Sequence, residues 1–132
     1  MSKIKNALIS VSDKTNLRLV LNILNKNKIN IVSSGGTFKS IKKLGFKCKQ
    51  VSEYTGFEEM LDGRVKTLHP KIHSGILFKR DNKIHRKQMQ KKRFEPIDLL
   101  IVNFYPFEET IKKTSNKKSI IENIDIGGPS MV

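Results

Sequence analysis

The run Ile97 to Phe104, set off by Pro96 on its N-terminal side, is the most apolar stretch of the chain. Near-continuous Ile, Leu and Val at strand length describe a strand covered on both faces, the condition of a parallel sheet flanked by helices. The run is therefore expected to be a central strand.

The remaining sequence supplies the flanking elements. Ile4 to Val11 reads as a buried strand, followed by Leu17, Val20, Leu21 and Leu24 at helical spacing behind the cap candidates Ser12 and Asp13. Ile29 to Ser33 forms a second short strand, and Phe38, Ile41 and Leu44 mark one face of a helix closed by Gly45. Phe46 to Val51 fits a third strand, Ser52 to Gly63 a glycine-containing connection, and Ile72 to Phe78 a short extended or helical piece. Asp81 to Arg93 has only Ile84 and Met89 as large apolar residues and reads as a solvated helix. Strands alternating with helices predict an α/β domain with a mostly parallel sheet and right-handed crossovers.

A chain of 132 residues accommodates one core, so residues 1–132 are read as one domain. Cys48 is the single cysteine, which excludes an internal disulfide and a site built on several thiolates and leaves plain packing as its expected role. No apolar run approaches a membrane span, and Ala7 to Ile9 is too brief for a secretory core, so a cytoplasmic location without membrane partners is expected. The formal charge of +14 favours phosphate esters and polyanions alike. Because the lysines are scattered over every segment, a small phosphorylated molecule is expected rather than nucleic acid. His69 and His73 are four apart, but Pro70 breaks a helix through both and no third ligand is evident, so no metal site is expected.

In open parallel sheets ligands bind beyond the carboxyl ends of the strands. Ser10-Val11-Ser12-Asp13-Lys14 and Ser33-Ser34-Gly35-Gly36-Thr37 both lead into helices whose free N-terminal amides suit an anion. Ordinary helix capping by the same Ser, Thr and Asp residues is the competing explanation for each loop. Asp62 to Pro70 concentrates Arg64, Lys66, Thr67 and His69, and otherwise reads as a solvated basic turn. Asn103-Phe104-Tyr105-Pro106-Phe107 and Asp125-Ile126-Gly127-Gly128-Pro129 add an amide, a phenol, a carboxylate and accessible backbone. Tyr105 is equally consistent with packing.

Taken in order, SVSDK, SSGGT, DGRVKTLHPKIHSGIL, NFYPF and IDIGGPS closely resemble the N-terminal cyclohydrolase domain of bifunctional purine biosynthesis proteins, over essentially the whole chain. The resemblance implies a methylglyoxal synthase-like three-layer fold with a mostly parallel central sheet. It implies closure of the second purine ring of a formylated aminoimidazole carboxamide ribonucleotide, with loss of water, to give inosine monophosphate. It places Ser12, Lys14, Ser34, Gly36 and Thr37 around phosphate and ribose, with Arg64, Val65, Thr67, Asn103, Ile126 and Gly127 as further substrate contacts. Lys66, Tyr105 and Asp125 are its catalytic residues, as cation, oxyanion donor and proton acceptor. No cofactor is implied for this step. The formyltransferase domain, which uses 10-formyltetrahydrofolate, is implied to be absent here, as is a lysine-bearing segment following DIGG. The longer protein is implied to be a homodimer. Three rivals stand beside this reading. They are a regulatory nucleotide-binding domain of the same fold, as in carbamoyl phosphate synthetase, methylglyoxal synthase itself, and a nucleic-acid module using the basic helix from Lys87 to Arg93.

Overall fold

The computed structural model describes residues 3–132. Strand β1 (Asn6–Ser10) leads to helix α1 (Leu17–Lys26), β2 (Asn30–Ser33) to α2 (Gly35–Lys43), and the short β3 (Lys49–Gln50) runs directly into α3 (Val51–Thr55). Helices α4 (Pro70–Leu77) and α5 (Lys83–Lys92) precede β4 (Leu99–Val102), and α6 (Phe107–Lys113), α7 (Lys117–Glu122) and a 3-10 turn at Pro129–Met131 complete the chain. The four strands are parallel in the order β3-β2-β1-β4. Ala7 pairs with Ile31 on one side and Leu99 on the other.

Successive strand residues point to opposite faces, and this period of two builds two cores. Ala7, Ile9 and Ile31 meet Leu17, Leu21 and Leu24 of α1 and Ile41 of α2. Leu8 and Val32 meet Val51 and Tyr54 of α3, Ile72 of α4, Ile97 and Met131. Each fully buried Leu or Ile contributes roughly 1.5–3 kcal/mol relative to exposure, so β1, buried on both faces, anchors the three layers.

Several expectations are corrected. The central strand is β1, whereas the Ile97–Phe104 run yields β4, an edge strand among the described residues with all four positions half-buried. Continuous hydrophobicity reports covered faces and says nothing about covered edges, which is why it misled. The expected strand from Phe46 to Val51 shrinks to two residues because Val51 already starts a helix. Ser12 and Asp13 do not cap α1. Asp13 instead accepts from the Thr15 N–H at 2.8 Å and its hydroxyl at 2.6 Å, which lowers its pKa, and Asn16 precedes the helix in a left-handed conformation. The piece from Ile72 is helical, beginning at Pro70 with the Lys71 N–H donating to His69 Nδ1 at 3.0 Å. His69 is thus a cap, outside the helix that carries His73. The basic segment is the solvated helix α5, on which Met89 alone is buried. Cys48 packs against the first core, and burial, opposed only by Lys42, pushes its thiol up to about 11, an unreactive packing residue.

The end of the sheet remote from the motif loops is fastened by Asp98. Its carboxylate accepts from the backbone N–H groups of Lys5 at 2.8 Å and Asn6 at 3.1 Å, and from Arg80 at 3.0 Å. Desolvation raises its pKa, but these bonds and the Arg80 charge outweigh it and the net shift is downward. A carboxyl with a lowered folded-state pKa stabilises above its unfolded value and loses that contribution as pH falls through the folded one. Asp98→Asn is therefore expected to cost about 1–2 kcal/mol in urea unfolding at pH 7. The gap between variant and native chain is expected to narrow as the native carboxyl protonates in acid.

Candidate functional site

All four motif loops open at one end of the sheet, where they enclose a cavity of about 590 Å³. Ser12 and Lys14 follow β1, Ser34, Gly36 and Thr37 begin α2, and Asn103 and Tyr105 follow β4. Arg64, Lys66 and Thr67 come from the loop before α4, and Asp125, Ile126 and Gly127 from the turn near the chain's end. Every site residue expected from the sequence lines this cavity except Val65. The Val65 backbone is instead paired in both directions with Met60, at 3.0 and 3.2 Å, closing the base of the loop that carries Lys66.

The capping explanation for the two serine-rich loops is not realised. Neither α1 nor α2 has a side-chain cap, and the first turn of α2 contains no acidic residue. Thr37 is instead a tie to the neighbouring loop, donating to the Val11 carbonyl at 2.8 Å and accepting the Val11 N–H at 3.1 Å. Ser34, at the cap position, keeps its hydroxyl for the cavity. The N-terminal amides of α2 therefore face the cavity with their partial positive charge uncompensated, a ready anion site.

Two ammonium groups reinforce that end. Lys14 folds back to donate to the carbonyls of Val11 at 3.3 Å and Ser12 at 3.1 Å, and lies 4.0 Å from where a Cβ on Gly36 would be. Lys66 Nζ lies 2.8 Å from the corresponding point on Gly35, whose φ of 53° is itself a conformation that favours glycine. A side chain at Gly35 would collide with this ammonium. The next residue, Thr67, is buried, and its hydroxyl stands 2.9 Å from where a Cβ on Gly127 would be. Lys66 and Thr67 thus span from the α2 terminus to the C-terminal turn.

At the far side, Asp125 accepts the Tyr105 N–H at 3.3 Å through one oxygen and the Gly128 N–H at 3.0 Å through the other. Each oxygen retains a free lone pair. Asn103, expected to contact the ligand's base, is largely committed elsewhere: its Oδ1 accepts from the Ser12 and Asp13 N–H groups and its Nδ2 donates to the Asp13 carbonyl. It lines the cavity while holding the β1–α1 loop in place.

With this geometry, the comparisons with known proteins are decisive for the family. The model of the MGS-like domain matches residues 17–130. The chain belongs to the MGS-like domain family. Among curated MGS-like relatives, the bifunctional purine biosynthesis protein PurH of Bradyrhizobium diazoefficiens is 54% identical over 130 residues, covering 98% of this chain and 24% of that protein. The PurH of Oenococcus oeni is 55% identical, covering 97% of this chain and 25% of that protein. This MGS-like chain therefore spans about a quarter of the length of the curated relatives it matches. The crystal structure of ForH superposes with a TM-score of 0.81 at 26% identity, over 97% of this chain and 65% of that one.

Sequence reasoning missed Ile121 and Glu122, and assigned no role to Ile124 at the start of IDIGGPS, though all three line the cavity. They sit on and after α7, whose sequence carries no motif, and only the fold shows that this helix lies over the site. Glu122 forms an ion pair with Arg64 across the cavity mouth. Both side chains are about half exposed, at 53% and 48%, so the pair is worth at most about 1 kcal/mol. Glu122→Gln is expected to leave global unfolding nearly unchanged while accelerating amide hydrogen exchange across residues 117–124, and exchange unaltered there would show that the pair does not hold α7.

Proposed function

We propose that this domain closes the second ring of a formylated aminoimidazole carboxamide ribonucleotide to form inosine monophosphate. The observation that carries this reading is the convergence of the separate motifs on a single cavity, with an anion-binding end and a carboxylate end spanned by Lys66 and Thr67. The identity to proteins named for bifunctional purine biosynthesis supports it.

The ligand's phosphate would sit at the α2 terminus, held by Lys14, Ser34, Gly36, Thr37 and Ser12, with Arg64 adding charge. The carboxamide nitrogen is a weak nucleophile, so the reaction needs a fixed approach to the formyl carbon, stabilisation of the oxyanion and a proton path to the departing water. Lys66 supplies the cation at the formyl oxygen, Tyr105 donates its hydroxyl to the same oxyanion, and Asp125 accepts a proton from the attacking nitrogen through a free lone pair. Thr67, Ile126 and Gly127 shape the region of the base. None of these steps calls on a metal or redox cofactor.

The rest of the assignment follows the same reading. Residues 1–132 are the N-terminal part of the ring-closing domain, whose C-terminal side is not included. Formyl transfer from 10-formyltetrahydrofolate, and a homodimer interface, belong to parts of the longer relatives outside the matched quarter. No helix among the described residues is long and apolar enough to cross a membrane. Action in the cytoplasm, on a small nucleotide rather than on nucleic acid, is part of the same proposal.

The test is conversion of the formylated ribonucleotide to inosine monophosphate followed by ultraviolet absorbance. Lys66→Ala is expected to lower kcat by about 10²–10³-fold, the loss associated with removing one oxyanion-stabilising group. Lys14→Ala is expected to act chiefly on KM and on inosine monophosphate affinity, because a phosphate contact is made equally in ground and transition states. A folded chain that neither binds inosine monophosphate nor turns over refutes the reading.

A further inference from the structure

Glu59 has no part in the chemistry above, yet its carboxylate approaches the same glycine, Gly63, as the Lys66 ammonium. Its Oε1 is the one side-chain polar atom among the described residues that is buried without a hydrogen-bond partner. Leaving a carboxylate oxygen buried and unpaired is costly, and such an atom calls for a specific explanation. Its other oxygen, Oε2, lies 3.3 Å from where a Cβ on Gly63 would be, and Lys66 Nζ lies 3.7 Å from that same point. An acid and a base therefore converge over a residue that has no side chain to separate them. Lys66 takes part in none of the ion pairs found among the described residues.

The surroundings explain why Lys66 needs an anion there. It shares the first turn of α2 with the Lys14 ammonium and stands at the positive end of that helix, both of which repel a further positive charge. The other charged groups on the cavity wall are Asp62, Arg64, Glu122 and Asp125, with Tyr105 as the remaining titratable group. Arg64 and Glu122 are paired with each other, and Asp125 is held by two backbone N–H groups on the opposite side. The turn through Leu61, Asp62 and Gly63, all with positive φ and closed by the Met60–Val65 bridge, brings the chain back so that Lys66 returns over Glu59.

We propose that Glu59 is the positioning residue of Lys66, its carboxylate holding the ammonium over Gly63 and aimed into the cavity. That this serves catalysis rests on the ring-closing reading. The electrostatic link itself does not.

The test is competitive acylation with trace acetic anhydride, read by mass spectrometry of lysine-containing peptides, on the native chain, Glu59→Gln and Glu59→Asp. Only the free amine acylates. Glu59→Gln is expected to raise the rate at Lys66 relative to Lys14 in the same sample by about threefold or more, as loss of a neighbouring opposite charge should. Glu59→Asp, which keeps the charge, is expected to bring the ratio back toward the native value. Lys71, whose ammonium donates to the Tyr54 carbonyl at 2.7 Å, reports general opening. An unchanged Lys66 to Lys14 ratio overturns the proposal, and so does a rise at Lys71 equal to that at Lys66, which would make Glu59 merely structural. In turnover, Glu59→Gln is expected to lower kcat by about tenfold with KM changed less than about twofold, because the lost interaction matters in the transition state. A folded chain that neither binds inosine monophosphate nor turns over, yet whose Lys66 still responds to Glu59, supports the electrostatic link and refutes the reaction, so the two readings fail separately.

Discussion

Strand β1 is the constraint on which the rest depends. It is paired on both edges and covered on both faces, and Leu8 and Ile9 have no accessible surface at all. This fixes the end of the strand, and with it the loop from Ser10 to Lys14, against a frame that cannot shift without opening both cores. The neighbours then lock the loop. Ser33 donates from β2 to the Ile9 carbonyl at 2.6 Å, Thr37 grips Val11 from α2, and Asn103 grips Ser12 and Asp13 from beyond β4. Preorganisation of the anion site is thus a property of the sheet, transmitted by three short polar side chains.

The charge arrangement follows from what this locking uses up. Thr37, a natural candidate to satisfy the first turn of α2, is spent on Val11, and Ser34 makes no cap. The helix terminus keeps its unsatisfied amides because the residues able to satisfy them have been assigned to other tasks. Lys14 and Lys66 then converge on a region that already carries positive potential, which would be unfavourable in a domain with nothing to bind. A doubly charged phosphate reverses the sign of that balance.

Much of this was legible in the sequence, and the limits have physical causes. Periodicity located β1, α1, β2 and α2 because their burial is one-sided or complete along a short local repeat. It misplaced Ile97 to Phe104, since half-burial against two helical layers and full enclosure by neighbouring strands produce the same apolar spelling. Motifs singled out Ser12, Lys14, Ser34, Thr37, Lys66 and Asp125, all of which line the one cavity. They did not reveal that Asn103 holds a loop, that Val65 works through its backbone, or that Glu122 crosses the mouth, because those roles arise only from contacts between segments far apart in sequence. Glu59 is the same case: nothing in its neighbours announces an unpaired oxygen.

The cavity draws its walls from both extremes of the chain, Ser12 and Lys14 near the beginning and Asp125 to Gly128 close to the end. During synthesis the β1–α1 and β2–α2 units can form while the carboxylate side of the site is still unmade, so the ligand has no complete binding surface until the last turn has joined. In the folded domain the same geometry would make a ligand bound there a clasp between the β1–α1 loop and the turn from Asp125 to Gly128. Occupancy would then raise the cost of detaching either segment, and resistance to proteolysis within both would rise with ligand concentration.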